Sequence, residues 1–183
     1  MTAATPGAWI TDPNAYRRRL AELLGDRDPM TVMSETADTL AGIVARHTPA
    51  QLRTRPFEAK WTPNEVIGHL TDSEWTYGYR LRLILSEDEP PIIGTDQDRW
   101  VAAQRFNERQ PAELVDMFRS LRRWNLAAWK NVTPGEMTRK GLHNERGEES
   151  LAQMFRMLAG HDLAHIGQIN RYLEAIHDAS EAT

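Results

Sequence analysis

Cysteine is missing altogether from this 183-residue chain, which removes disulfides, thiolate metal ligands and cysteine nucleophiles together. Lack of disulfides suits a reducing interior, and a cytoplasmic location is expected. Long apolar runs are missing too. Nothing approaches the roughly 18 consecutive apolar residues of a membrane span, so no membrane partner is expected. The opening stretch, MTAATPGAWITDPNAYRRRL, has no basic segment followed by an apolar one, so no secretory leader is expected. Positive charge is not in excess either: 22 Lys and Arg stand against 26 Asp and Glu, a net charge of −4. The short basic runs at 17–19 and 122–123 have acids close by. No nucleic-acid partner is expected from this balance, which leaves a small-molecule substrate as the natural ligand class.

Strand signals are scarce, whereas helix starts are explicit. TPNE (62–65) sets Thr at the cap, Pro at the first helical position and Glu three residues on, a capping box with a pre-set φ. SLAQ (150–153) repeats the box with Ser and Gln, and DPN (12–14) and DPM (28–30) pair an Asp cap with Pro. QPAE (110–113) has the proline and the acid without a good cap. These starts predict helices over 13–24, 30–46, 63–86, 111–131 and 150–177, with a looser helical stretch over 96–107. The breaks are HTPAQ, EDEPPIIGTD and NVTPGEMTRKGLHNERGEE. Four long amphipathic helices with polar connections predict an all-α fold, a four-helix bundle with an extra short N-terminal helix. With no repeat or linker in view, residues 1–183 read as one domain, with a core over about 28–177 and an N-terminal extension over 1–27.

The last predicted helix contains HDLAHIGQI (161–169). Its apolar stripe steps by three or four through Leu151, Met154, Leu158, His161, His165, Ile169, Tyr172 and Ile176, the period of a bundle core. Arg156, Asp162 and Arg171 lie between these positions and suit a wet face. His161 and His165 therefore take core positions one turn apart, a spacing that lets two imidazoles converge on one ion. The helix from Pro63 has a similar stripe through Val66, His69 or Leu70, Ser73, Tyr77, Leu81 and Leu85. Gly68, beside His69, leaves room for another helix or an ion. A single core histidine is more often a hydrogen-bonded packing residue than a ligand. A four-apart pair on an apolar stripe is different, because both rings need partners and one metal ion satisfies both. Three such histidines would leave coordination positions open, as in catalytic sites, whereas structural zinc closes its shell with four protein ligands.

The segments KWTPNEVIGHLTDSEWTYGYRLRLIL (60–85) and LAQMFRMLAGHDLAHIGQINRYLE (151–174) resemble the DinB/YfiT-like superfamily, in particular its DinB_2 branch. The resemblance runs from about Asp28 to Leu173. It rests on the Trp and capping Thr ahead of a helix carrying GHL, and on the HDxxHIGQI helix. It implies a four-helix bundle with a divalent metal bound by three histidines, which fall here on His69, His161 and His165. Zinc or nickel is the usual metal in the family, while imidazole chemistry alone also suits copper and iron. Relatives include transferases and isomerases that use low-molecular-weight thiols such as bacillithiol or mycothiol. With no cysteine in this chain, such a thiol would arrive as a cosubstrate.

Other polar groups near these histidines are weaker candidates. Gln168, close to His165, and Glu74, five after His69, could support the ligands or touch substrate, with a surface role at least as expected. Tyr77 could line a pocket or donate a proton, although core packing is the simpler expectation. Asp162 is expected to be a solvated helix residue, turned about 100° from the stripe. His143, in GLHNERGEES, could contact substrate at a pocket mouth. His47 and His177 suit helix C-termini. RWNLAAW (123–129) offers an apolar strip that would suit a homodimer. The leading expectation is a metalloenzyme, a thiol-dependent S-transferase or isomerase or a hydrolase. A metal-binding, stress-associated protein without catalysis is the alternative.

Overall fold

A computed structural model describes residues 13–181 of the chain. The elements run α1 (Pro13–Leu24), α2 (Pro29–Arg46), α3 (Pro49–Arg53), α4 (Pro63–Ser86), β1 (Pro91–Ile92), α5 (Gln97–Gln104), α6 (Pro111–Trp129), β2 (Lys140–His143), β3 (Gly147–Ser150) and α7 (Leu151–Glu181). The caps explain the helix starts. Thr62 accepts from the Glu65 N–H while Glu65 reaches back to the Thr62 N–H, and Asp28 accepts from Thr31. Ser150 and Gln153 close the same reciprocal box at α7, with bonds of 3.2 and 3.0 Å. Gln110 makes no side-chain cap, as its residue type suggested. The Asp12 cap lies outside the described residues.

Helices α2, α4, α6 and α7 form the four-helix bundle: α2 and α4 each pack on both α6 and α7. Two apolar clusters fill it. One contains Leu40, Val66, Leu70, Phe118 and Ile169, and the other Met33, Leu81, Ile84, Trp129 and Met154. Val66 and Ile169 share the first cluster while Ile84 and Leu151 share the second, so α4 and α7 run antiparallel. Along each of the four helices a polar segment separates the two clusters: Thr36 on α2, His69 to Glu74 on α4, Arg122 and Asn125 on α6, His161 to His165 on α7. The bundle thus carries a buried polar layer across its middle.

Three features depart from the sequence reading. The region 1–27, read as an extension outside the core, contributes α1, whose Leu20 and Leu24 are fully buried against the bundle. The approach of α1 to α7 is close enough that a Cβ on Gly160 would stand 2.3 Å from the Leu20 carbonyl oxygen. HTPAQ, read as a break, holds the short helix α3, capped by Thr48 with Gln51. The loop ahead of α7 contains the antiparallel pair β2–β3, with β1 added in parallel to β2, a small three-stranded sheet at one end of an otherwise helical bundle. No helix of the described residues is long and apolar enough to cross a membrane.

Candidate metal centre

His69, in the second turn of α4, faces the middle of α7. Gly68 beside it leaves space that the Phe106 ring fills, since a Cβ there would sit 2.2 Å from that ring. His161 and His165, one turn apart, point at the same place. His161 Nε2 lies 3.1 Å from His69 Nε2 and 3.1 Å from His165 Nε2. The three rings expose only 6%, 7% and 3% of their surface for His69, His161 and His165. Trp61, just ahead of α4, forms a wall, its ring centroid 4.9 Å from that of His69 and 6.5 Å from that of His165.

Burial keeps all three imidazoles neutral. It drives His69 and His161 well below the ordinary histidine range, with His165 adding to the effect on both. Burial also lowers His165, to about 4, against opposing help from Gln168 and Asp162. The tautomer of His165 is set by its neighbours. Gln168 Nε2 donates to Tyr172 Oη at 2.9 Å, so the Gln168 Oε1 faces His165 Nδ1 at 2.7 Å and accepts its proton. His165 Nε2 is therefore a lone pair. The single proton that His161 Nε2 could carry makes one well-aligned bond, not two, so hydrogen bonding alone leaves one 3.1 Å contact between lone pairs.

A cation at the convergence point satisfies all three nitrogens. At metal–nitrogen distances of about 2.0–2.1 Å, neighbouring nitrogens stand roughly 2.9–3.4 Å apart in octahedral or tetrahedral shells. The two spacings to His161 Nε2 fit that range. Among the described residues, these three form a group of possible ligands whose ligand atoms all lie within 4.8 Å of one another. His161 Nδ1 is buried without a hydrogen-bond partner, so the outer support usual for a histidine ligand is seen at His165, from Gln168.

The expectation for Asp162 is overturned. It is fully buried and accepts from Arg122 Nη1 at 2.6 Å, Arg122 Nη2 at 3.0 Å and Thr36 Oγ1 at 2.7 Å. Glu74, which a surface role would have suited, is fully buried too. Its Oε1 pairs with Arg122 Nη2 at 2.9 Å, outside hydrogen-bond angles, and its Oε2 accepts from Asn125 at 3.0 Å. Arg122 also donates to the Met33 carbonyl at 2.7 Å. One guanidinium on α6 therefore touches α2, α4 and α7. Burial opposes its charge, but Asp162 and Glu74 outweigh this and hold it firmly protonated. The sequence reading missed Arg122; nothing local in the double arginine separates buried Arg122 from exposed Arg123.

The remaining candidates fall elsewhere. His143 ends β2 and is buried, apart from the three converging rings. Tyr77 is half-buried on α4, with the Arg80 guanidinium 5.1 Å from its ring centre. His47 caps α2, its Nδ1 2.8 Å from the Ile43 carbonyl, and His177 lies in the last turns of α7 near Glu181. Of the RWNLAAW tryptophans, Trp129 is buried and Trp124 exposed. A groove of about 780 Å³ on the outer side of α4, lined by Trp75, Trp100 and Met117, includes none of the three histidines.

Known proteins share the fold of this chain. The sequence model of the DinB superfamily matches residues 33–169. "Putative metal-dependent hydrolase OB0782" of Oceanobacillus iheyensis is 28% identical over 120 residues, covering 65% of this chain and 69% of that one. "Putative metal-dependent hydrolase YfiT" of Bacillus subtilis is 26% identical over 145 residues, 76% of this chain and 81% of its own. The solved structure of YfiT, described as having "an unusual four-helix bundle topology", superimposes with a TM-score of 0.70, covering 93% and 94% of the two chains at 21% identity. A mycothiol-dependent maleylpyruvate isomerase shares the fold with a TM-score of 0.63 at 12% identity, over 77% of this chain and 59% of that one. A family match across most of the bundle, on a fold of the same topology, makes this chain a member of the DinB superfamily.

Proposed function

We propose that the chain is a metal-dependent enzyme in which His69, His161 and His165 hold one divalent ion, zinc or nickel, and a small-molecule substrate is attacked by water or by a low-molecular-weight thiol. The observation that carries this reading is the convergence of three buried, neutral imidazoles, with His161 Nε2 3.1 Å from both His69 Nε2 and His165 Nε2. An ion held by three imidazoles supplies Lewis acidity, lowering the pKa of water or a thiol towards neutrality and polarising a carbonyl. The chain's own residues do the rest. Gln168 fixes the His165 tautomer, Trp61 walls the site against bulk water, and the Arg122 network ties α4 to α7 so that ligands from two helices meet. The names of the sequence relatives favour hydrolysis; the thiol arm draws on the mycothiol-dependent structural relative and on the absence of cysteine here.

The test is turnover by protein reconstituted with zinc or nickel, assayed with ester substrates for hydrolysis and with bacillithiol, mycothiol or glutathione plus an electrophilic dye for thiol transfer. Metal-dependent turnover in one assay, absent from a His69→Ala variant that stays helical, is expected. Turnover that ignores the metal, or persists in His69→Ala, contradicts the reading.

A further inference from the structure

A second cluster of buried polar groups lies at the sheet end of the bundle, built from α1, α4, β2 and β3. It contains Arg17, Tyr77, Arg80, His143, Arg146 and Glu149. Its charges do not balance: three guanidiniums meet one buried carboxylate. Glu149, 1% exposed, is already taken, by Arg146 at 2.9 and 3.1 Å and by Arg17 at 3.3 Å. Arg80 is 4% exposed, yet among the described residues no carboxylate stands within ion-pair distance of it. Its Nη2 donates to the Ile93 carbonyl at 2.9 Å, and its face lies against Tyr77. A guanidinium has five N–H donors; those of Arg80 meet the Ile93 carbonyl and the Tyr77 side chain, and none meets a carboxylate among the described residues.

His143 adds a donor of the same kind. Its Nδ1 accepts the Glu145 N–H at 3.1 Å, which places the ring proton on Nε2. That Nε2 is buried with no hydrogen-bond partner. A buried N–H without an acceptor, beside a buried cation whose neighbouring carboxylate is already bonded by two other arginines, is costly in a finished core. Burial, with Arg146 and Arg80 close by, holds the ring down to about 4, so it faces the arginines as a neutral donor.

The position matters as much as the imbalance. His69, Ser73, Tyr77 and Arg80 follow one another at steps of four, four and three, one face of α4. Arg80 is thus three turns past His69, about 16 Å along the helix axis.

We infer that Arg80, Arg146 and the His143 Nε2–H form a binding site for an oxyanion, a carboxylate or phosphate group on a small molecule. Resting on the metal reading above, the site takes the anionic end of the substrate while the reacting end lies at His69. Arg17 and Glu149 hold Arg146 in place, and Tyr77 supports the Arg80 plane.

The test uses metal-free protein, so it stands whether or not the histidines bind metal. Thermal unfolding is followed with inorganic phosphate or succinate against sodium chloride at matched ionic strength. In parallel, ¹H–¹⁵N spectra follow the His143 ring. One or both oxyanions should raise the Tm saturably above chloride and shift the His143 Nε2–H resonance with the same midpoint. Arg80→Gln should weaken the response at least tenfold, while Arg82→Gln and His69→Ala keep it. Response to phosphate alone assigns a phosphate ligand, and to succinate alone a carboxylate. The inference is overturned if neither anion exceeds chloride and the His143 signals stay still, or if Arg80→Gln responds like the parent.

Discussion

Two buried polar clusters of this protein look alike in composition and differ in the sign of their net charge. The one in the middle layer sets Arg122 among Asp162, Glu74, Asn125 and Thr36. Each carboxylate there has a cationic partner, and the guanidinium reaches all three neighbouring helices. The one at the sheet end sets three arginines and His143 around the single carboxylate of Glu149 and leaves His143 Nε2 without a partner, as the middle layer leaves Arg122 Nε. The first is cross-linking within the fold: it fixes how α4 and α7 meet and so where the three histidines converge. The second, on the inference above, is completed by an oxyanion. Buried charge alone does not separate structural from ligand-binding clusters. What separates these two is sign: the middle layer holds one cation between two carboxylates, the sheet end three cations around one.

That comparison can be broken by mutation. The largest effect is expected from Arg122→Met, which strands Asp162 and Glu74 as buried carboxylates and should cost about 3–5 kcal/mol, read by urea unfolding. A loss below about 1 kcal/mol would put the middle cluster in the same class as the other. Gln168→Leu comes next. It frees the His165 tautomer and should weaken metal binding by about 10–100-fold, read by competition with a chelating dye, with little change in fold. Arg80→Gln should be mildest, changing the stability of the anion-free protein by about 1 kcal/mol or less, because it orphans no carboxylate. A loss comparable to Arg122→Met would make Arg80 a structural residue.

Acid offers a further probe. His143 and His165 are both held to about 4, against an ordinary value of 6.5. The unfolded chain therefore takes up protons first as pH falls. Stability of the metal-free protein should be level above about pH 6.5, fall between 6.5 and 4, and gain no further slope from these two groups below that. Thermal melts across this range check it. His143→Gln should make the slope shallower, and an unchanged slope would show that His143 is not held neutral.

Much of this was legible in the sequence for local reasons. The caps Asp28, Thr62 and Ser150 are read from a few residues, and α4 keeps the predicted bounds, 63–86. The histidines stood out because their spacing matches the bundle period. What was missed depends on distant partners. Thr48 and Gln51 form the same capping box as Thr62 and Glu65, but five residues are too few to show apolar periodicity. The strands of the hairpin are short and polar, and β1, far away in the chain, completes their sheet. Asp162 sits about 100° from the apolar stripe of α7, which means solvent only for a helix covered on one side. Because α1, α2 and α4 all pack on α7, little of its circumference is wet. Arg80 and Arg122 were hidden for the same reason.

The most direct measurement is elemental analysis of purified, untagged protein after dialysis against zinc or nickel, beside the double variant His161→Ala/His165→Ala. The account predicts about one equivalent of metal in the parent and none in a variant that remains helical by circular dichroism. A parent that binds no metal, or a variant that binds as much, would contradict the three-histidine centre on which the proposed activity depends.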